Sequence, residues 1–197
     1  MKTKKMKIKT IHIFIIFIIV VLAQLFIPFQ MIFNQETILE KGKAYKFKTQ
    51  PVDPTDPFKG KYITLNYEIN RYKTNDSLWE RNEAIYVYLT KDSLGFAKIA
   101  AINKEVLLNN GNDYIKAKAR WYSKYSKELS IELPFNRYYM EETKAYNAEV
   151  AVRNRQRDSL PNNTYALVYV KDGEAVLDDV IIDDMSIKDY VEKGISE

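Results

Sequence analysis

The first thirty residues constrain this chain more than any other part of its sequence. An apolar run extends from Ile11 to Phe29, which is close to the roughly 20 residues that a helix needs to cross a bilayer. Lysines precede the run, and the cytoplasmic flanks of membrane helices carry an excess of such residues. The sequence therefore predicts an N-terminal membrane helix whose following chain lies outside the cytoplasm. The lysines of this flank are Lys2, Lys4, Lys5, Lys7 and Lys9.

These patterns divide the chain into a basic cytoplasmic tail (1–10), a transmembrane anchor (11–29) and an extracytoplasmic domain (30–197). A cleaved signal peptide is the alternative to the anchor, because Val21–Ala23 offers small residues at a suitable cleavage spacing. The apolar run continues well past this segment, which favours a retained, single-pass anchor. Either reading predicts a domain at the cell membrane that faces the periplasm or the cell surface.

The net charge of +4 comes from the tail rather than from the domain. Without the five N-terminal lysines, 25 basic residues face 26 acidic ones. Domains that bind nucleic acid usually carry a basic stripe, so no nucleic-acid partner is expected here. Cysteine is absent, which excludes disulfides, thiolate metal sites and cysteine nucleophiles. The only histidine, His12, lies in the apolar run, so the domain has no histidine for a catalytic triad or a zinc site.

Alternation of apolar and polar residues runs through the domain and predicts strands. Asp172-Gly173 lies between two alternating segments and predicts a type I′ hairpin turn. A helix is predicted from Glu141 to Arg157, where apolar residues recur three and four positions apart. The expected fold is mainly β with minor α+β character: a single β-sandwich or partly closed β-barrel with one packed helix. The apolar sets are Tyr45, Phe47 and Thr49; Ile63, Leu65, Tyr67 and Ile69; Ile85, Val87 and Leu89; Ile115, Ala117, Ala119 and Trp121; and Leu129, Ile131 and Leu133.

A proline-rich segment precedes one of these strands. Residues 51–59 read PVDPTDPFK, and their three prolines fix φ and remove backbone donors. Gly60 then allows a bend at the start of the strand. The sequence GKYITLNY at 60–67, with its lead-in at 52–59, resembles the signature of the GDYXXLXY family of bacterial membrane-anchored proteins. A second block, RYYMEE at 137–142, resembles that family's aromatic pair and glutamate ahead of a helix.

The resemblance implies a short basic N-terminus, one transmembrane helix and an extracytoplasmic domain, with no established activity. It also implies a multi-spanning membrane protein as a partner. One position departs from the family, since Lys61 stands where the usual residue is aspartate. An ammonium group cannot act as a general base or metal ligand, so an architectural role is expected for the first motif. Its residues are Asp53, Pro54, Asp56, Pro57, Gly60, Tyr62, Leu65 and Tyr67, and the second block offers a candidate functional surface of Tyr138, Tyr139, Glu142 and Glu149.

Three functions remain open from the sequence. The first is a membrane-anchored accessory or binding domain that acts with an integral membrane partner in the cell envelope. The second is a carboxylate-dependent envelope hydrolase, for which Glu142 is the first residue to suspect, and the third is a module that binds cell-wall glycan through tyrosines. No catalytic residues, metal site or cofactor are predicted, and an enzyme is the less favoured reading. Strand packing is favoured over an exposed binding stripe for Tyr86 with Tyr88 and for Tyr138 with Tyr139. Solvated turns at strand ends are likewise favoured over a calcium site for Asp178, Asp179, Asp183 and Asp184.

Overall fold

A single long helix, α1 (Thr10–Lys41), leads into the strands. Its 32 residues measure about 48 Å at ~1.5 Å per residue, and its apolar part has a mean hydropathy of 2.7 and no buried residue. By length and composition α1 is thus a candidate membrane span, and it continues past Phe29, where the predicted anchor ended. This computed structural model describes residues 10–50, 62–107, 111–141, 144, 147–148, 150 and 164–195.

The described part of the chain after α1 is mostly β-structure, in two five-stranded antiparallel sheets and one two-stranded sheet. The long strands come from the alternating segments of the sequence, and strands of only two or three residues lie between or after them along the chain. The strands are β1 (Lys43–Gln50), β2 (Tyr62–Thr64), β3 (Asn66–Tyr67), β4 (Arg71–Lys73), β5 (Ala84–Lys91), β6 (Ala97–Asn103), β7 (Tyr114–Ser123), β8 (Glu128–Glu132), β9 (Arg137–Tyr139), β10 (Thr164–Lys171), β11 (Glu174–Ile182) and β12 (Met185–Ser186).

The sheets curve into a nearly closed, barrel-like arrangement. One sheet has the order β12-β11-β10-β1-β3, another has the order β4-β8-β7-β5-β6, and β2 pairs with β9. Isolated bridges tie the two large sheets together, between Lys46 and Phe96 and between Ile115 and Gly173. The prediction of a mainly β fold is therefore confirmed, in its partly closed barrel form.

The core lies between the inner faces of the sheets, where most of the predicted apolar sets are buried. At its centre the rings of Phe47 and Phe135 have centroids 4.9 Å apart, and the Tyr67 ring lies 5.4 Å from that of Phe135. These rings join β1, β3 and the segment before β9. Aromatic pairs at such separations add to the stability that burial of their surface provides.

Trp121 does not lie on the buried face of β7. Alternation predicts that it is buried with Ile115, Ala117 and Ala119, but its side chain is 58 % exposed. A β-bulge between Ala119 and Trp121 inserts one residue into the pairing with β8. Because side chains alternate at every residue along a strand, one inserted residue turns all later side chains to the opposite face.

The two turns that flank β11 carry positive φ angles at aspartate residues. Asp172 (φ 51°) and Gly173 (φ 85°) form the predicted hairpin turn, with the sign that a type I′ turn requires. Asp183 (φ 49°) and Asp184 (φ 63°) form the next turn, between β11 and β12. Both turns thus bring consecutive strands back against each other.

The packed helix of the described structure is α2 (Ile187–Ile195), which the sequence reading missed. It contacts β11 and β12, and Ile187 and Val191 are buried on its inner side. The sequence does contain its signal, because Ser186 precedes Asp189 by three residues in the manner of a capping box. Most of the helix predicted for 141–157 lies outside the described residues.

Candidate functional site

Strands β2 and β9 bring the two sequence blocks side by side. Tyr62 lies opposite Tyr139, and Ile63 lies opposite Tyr138. Thr64 lies opposite Arg137, the first residue of β9. These strands are far apart in the sequence, so their pairing is a product of the tertiary fold. It creates one small sheet with an inner and an outer face.

The inner face of this pair is packed into the core. Ile63, Leu65 and Tyr138 have at most 5 % of their surface exposed, and Tyr67 has none. The backbone N–H of Leu65 donates to the carbonyl oxygen of Asn136 over 2.9 Å, which extends the β2–β9 contact by one residue. The retained Leu65 and Tyr67 of the first block therefore contact the interior rather than solvent.

Tyr138 is held at the interior by its hydroxyl. It donates a 2.9 Å hydrogen bond to the Asp179 carboxylate, which also accepts a bond from the Val180 backbone N–H. Burial raises the pKa of Tyr138 well above its usual range, and the bond to Asp179 adds to this shift. The Lys188 ammonium lies 5.8 Å from the centre of the Tyr138 ring. Tyr138 thus serves to fasten β9 against β11.

The outer face presents two tyrosines and an arginine, which we call the Tyr62–Arg137–Tyr139 surface. The two tyrosine rings have centroids 5.4 Å apart at an angle of 58°. The Arg137 guanidinium carbon lies 4.9 Å from the centre of the Tyr62 ring. Hydrogen bonding to Tyr139 raises the pKa of Arg137, with a smaller contribution from Tyr62. Tyr139 is 64 % exposed, so this ordered cluster remains open to a ligand.

Such a surface can bind in two ways. The guanidinium group offers planar donors that match a carboxylate, and the aromatic rings offer flat faces for stacking or apolar contact. Tyrosine and arginine are also enriched among the residues that contribute most to protein–protein binding. The chemistry of the surface is therefore that of recognition.

Arg137 belongs to the Tyr62–Arg137–Tyr139 surface but is not among the site residues predicted from the sequence. The signal was present, because Arg137 and Tyr139 are two positions apart and share one face of any strand that holds both. Tyr138 and Tyr139 do not form one exposed stripe, because only Tyr139 is exposed, whereas Tyr138 follows the favoured reading of packing. Adjacent residues of a strand point to opposite faces, so Tyr138 is buried when Tyr139 is exposed.

Tyr86 and Tyr88 do not form an exposed stripe either, and both follow the favoured reading of strand packing. Tyr88 is 1 % exposed, because its ring packs 5.6 Å from that of Tyr114 and its hydroxyl accepts a bond from the Leu107 backbone N–H. The segment around Leu107 thus covers the outer side of β5 at this point. Tyr86 stays half-buried and packs edge-on against the same Tyr114 ring, with centroids 5.7 Å apart.

Three of the four aspartates considered for a calcium site have structural roles. Asp179 accepts a hydrogen bond from the Tyr138 hydroxyl, and Asp183 and Asp184 form the turn before β12. Within the described ranges, no group of three or more histidine, cysteine, aspartate or glutamate residues is arranged to hold a metal ion. The remaining site residues of the sequence reading lie outside the described residues: Asp53, Pro54, Asp56, Pro57, Gly60, Glu142 and Glu149.

Comparison with known proteins identifies the family. The profile described as "GDYXXLXY protein" matches residues 24–180, which is most of the chain. The chain therefore belongs to the GDYXXLXY family, and the resemblance seen in its two blocks is confirmed. No curated protein and no solved structure matches the chain.

Proposed function

We propose that this GDYXXLXY-family protein is a membrane-anchored accessory or binding domain that acts outside the cytoplasm with an integral membrane protein. The observation that carries the proposal is the Tyr62–Arg137–Tyr139 surface, an exposed cluster built by both sequence blocks of the family. Tyr62 and Tyr139 are held by the β2–β9 pairing, so little conformational entropy is lost when a partner binds.

The junction between α1 and the barrel supports the same proposal. The Gly42 backbone N–H donates a 2.8 Å bond to the carbonyl oxygen of Ile38, and β1 begins at Lys43. Ile38 is buried, and the end of α1 contacts β10 and β11. A helix that enters a strand with only one intervening residue holds the barrel in a set orientation. A membrane partner would therefore meet the same surface each time.

The height of the barrel above the membrane also suits a membrane partner. Exposed apolar side chains of α1 continue to Phe33, and the mostly polar segment Asn34–Lys41 follows, in which Ile38 is buried against the barrel. Eight helical residues rise about 12 Å, whereas each headgroup region is about 5–8 Å deep, so the barrel begins only a few ångströms beyond the headgroups. With the N-terminal lysines in the cytoplasm, the barrel would lie next to the outer surface of the bilayer.

The test is affinity purification of the tagged full-length protein from its own membranes in mild detergent, followed by mass spectrometry. We expect a stoichiometric multi-spanning protein with the wild type, and at least a tenfold smaller yield of it with the double variant Arg137→Ala/Tyr139→Ala. The double variant Lys124→Ala/Tyr125→Ala is the matched control, because it likewise removes one cationic side chain and one tyrosine. Both lie exposed on the β7–β8 turn, away from the surface. Equal co-purification with both variants would contradict the role of the surface.

A glycan-binding module is the second candidate, because tyrosine faces beside a guanidinium group also suit a sugar. The two candidates separate with cell-wall fragments as the probe. Saturable binding of such fragments to the purified full chain, lost in Arg137→Ala/Tyr139→Ala and kept in Lys124→Ala/Tyr125→Ala, would favour the glycan. The accessory role predicts no such binding.

A further inference from the structure

The apolar part of α1 contains an exposed polar residue far from either of its ends. Between Ile11 and Phe33 the helix has three polar side chains, those of His12, Gln24 and Gln30. His12 lies at the inner end, and Gln30 is only three residues from the outer end. Gln24 is thirteen residues from Ile11 and nine from Phe33, which is about 20 Å and about 14 Å along the helix. With α1 placed across a bilayer, Gln24 therefore lies within the hydrocarbon region.

Pro28 adds a second polar group at the same place. It stands inside the continuous helix α1 and has no backbone N–H. The carbonyl oxygen four residues earlier, that of Gln24, therefore lacks the donor that a helix normally supplies. Lipid tails offer no donor, and such freed groups in membrane helices are satisfied by neighbouring helices, hydroxyl side chains or bound water. Gln24 thus presents both a carboxamide and a freed carbonyl oxygen on one face of α1.

The barrel lies on the same side of α1 as Gln24. In the described part of this helix only Ile38 is buried, and this end of α1 contacts β10 and β11. Fourteen residues separate Gln24 from Ile38, which at 3.6 residues per turn is about 40° short of four full turns. A helix that packs against Gln24 would therefore run through the bilayer beneath the barrel.

This placement decides between two kinds of neighbouring helix. A second copy of the chain would meet Gln24 across a two-fold axis between the two helices. Both barrels would then lie toward that axis and compete for the space directly above it. A helix from a different protein brings no second barrel, and its outer loops would lie where the barrel can contact them. The position of the barrel therefore favours a different integral membrane protein.

We infer that Gln24 is the residue by which α1 packs against a transmembrane helix of the integral membrane partner. That helix carries an uncharged polar side chain (asparagine, glutamine, serine or threonine) at the depth of Gln24. The side chain donates a hydrogen bond to the freed carbonyl oxygen or pairs with the carboxamide, whereas a charged side chain there would lack a counter-ion. The inference rests on the proposed function, because it places a second contact with the same partner inside the bilayer.

The first test is the yield of the multi-spanning protein that co-purifies with the tagged full-length chain from its own membranes, measured by quantitative mass spectrometry. Since a hydrogen bond between membrane helices is modest in strength, we expect a yield at least threefold smaller with Gln24→Leu. Gln24→Asn keeps the carboxamide and should keep most of the yield. Gln30→Leu is the matched control, because it makes the same change on α1 at a position about 120° around the helix and should keep the wild-type yield.

The outcomes of this test separate the inference from the function on which it rests. A wild-type yield with Gln24→Leu would overturn the inference and leave the proposed function intact. Equal losses with Gln24→Leu and Gln30→Leu would also overturn it, because the loss would not depend on the position of the carboxamide. The absence of a multi-spanning protein from the wild-type sample would contradict the proposed function itself.

Photo-cross-linking in intact membranes tests the face of α1 and the identity of its neighbour. Benzoylphenylalanine is placed either at Val20, one turn from Gln24 on the same face, or at Leu22, about 160° away from Gln24. We expect an adduct with the multi-spanning protein from the Val20 position only. An adduct between two copies of this chain, equal adducts from both positions, or no adduct from the Val20 position would overturn the inference.

Discussion

The Tyr67 hydroxyl donates a 2.8 Å hydrogen bond to the backbone carbonyl oxygen of Phe135. Both side chains are buried, and their ring centroids lie 5.4 Å apart. Tyr67 ends the first sequence block, and Phe135 lies just before the second. One residue pair therefore joins, inside the barrel, the two segments whose outer side chains form the Tyr62–Arg137–Tyr139 surface.

Replacing Tyr67 by phenylalanine should destabilise the fold by about 1–3 kcal/mol, because it leaves the buried carbonyl of Phe135 without its donor. Urea-induced unfolding of the full chain in micelles, followed by tryptophan fluorescence, measures the change. Tyr139→Phe is the control, because that hydroxyl belongs to a side chain that is 64 % exposed. The same loss in both variants would show that the Tyr67–Phe135 bond has no special part in stability.

Leu65→Ala should cost on the order of 2–5 kcal/mol, because Leu65 is only 3 % exposed and its removal leaves a cavity in the core. Leu78→Ala deletes the same atoms from a side chain that is 76 % exposed and should change stability little. The unfolding midpoints of the two variants give the comparison. A midpoint near that of the wild type for Leu65→Ala would argue against its place in the core.

Gly173→Ala should destabilise the β10–β11 hairpin for two reasons. The residue has a φ of +85°, and an added Cβ would lie 2.5 Å from Tyr114 Cε2. Gly95 has nearly the same φ, +83°, but nothing within 4 Å of its Cβ position, so Gly95→Ala isolates the backbone strain. We expect the larger fall in free energy of unfolding for Gly173→Ala. Equal effects would mean that Tyr114 moves aside freely.

Stability should fall at alkaline pH through Tyr45. Burial raises the pKa of this phenol from its ordinary value of 10.0 to about 12, and its hydrogen bond to Asp113 adds to the shift. Since the folded state favours the neutral phenol, its contribution is complete below pH 10 and is lost as the pH rises through about 12. Urea unfolding between these values should therefore show declining stability, with a smaller slope in Tyr45→Phe.

A control is needed for that slope, because burial also raises the pKa values of Tyr67 and Tyr138. Tyr125→Phe changes a fully exposed tyrosine and should keep the wild-type slope. If Tyr45→Phe and Tyr125→Phe gave the same slope as the wild type, the bond between Tyr45 and Asp113 would have no part in the pH dependence.

The sequence alone determined the local features of this protein. A long apolar run specified a helix long enough to be a candidate membrane span, because about 20 apolar residues are what a helix needs to cross a bilayer. Alternation assigned the buried faces of β1, β5 and β8, since side chains of a strand point to opposite sides in turn. Asp172-Gly173 specified a hairpin turn through the positive φ angles that its residues tolerate.

Only the tertiary structure decided which surfaces these elements form. The pairing of Tyr62 with Tyr139, the covering of Tyr88 by the segment at Leu107, and the bulge that exposes Trp121 all depend on neighbours distant in sequence. The position of the barrel on the Gln24 side of α1 likewise depends on the packing of the end of this helix against β10 and β11. Periodicity is a property of one segment, whereas strand order and register follow from the packing of the whole core, which no single segment encodes.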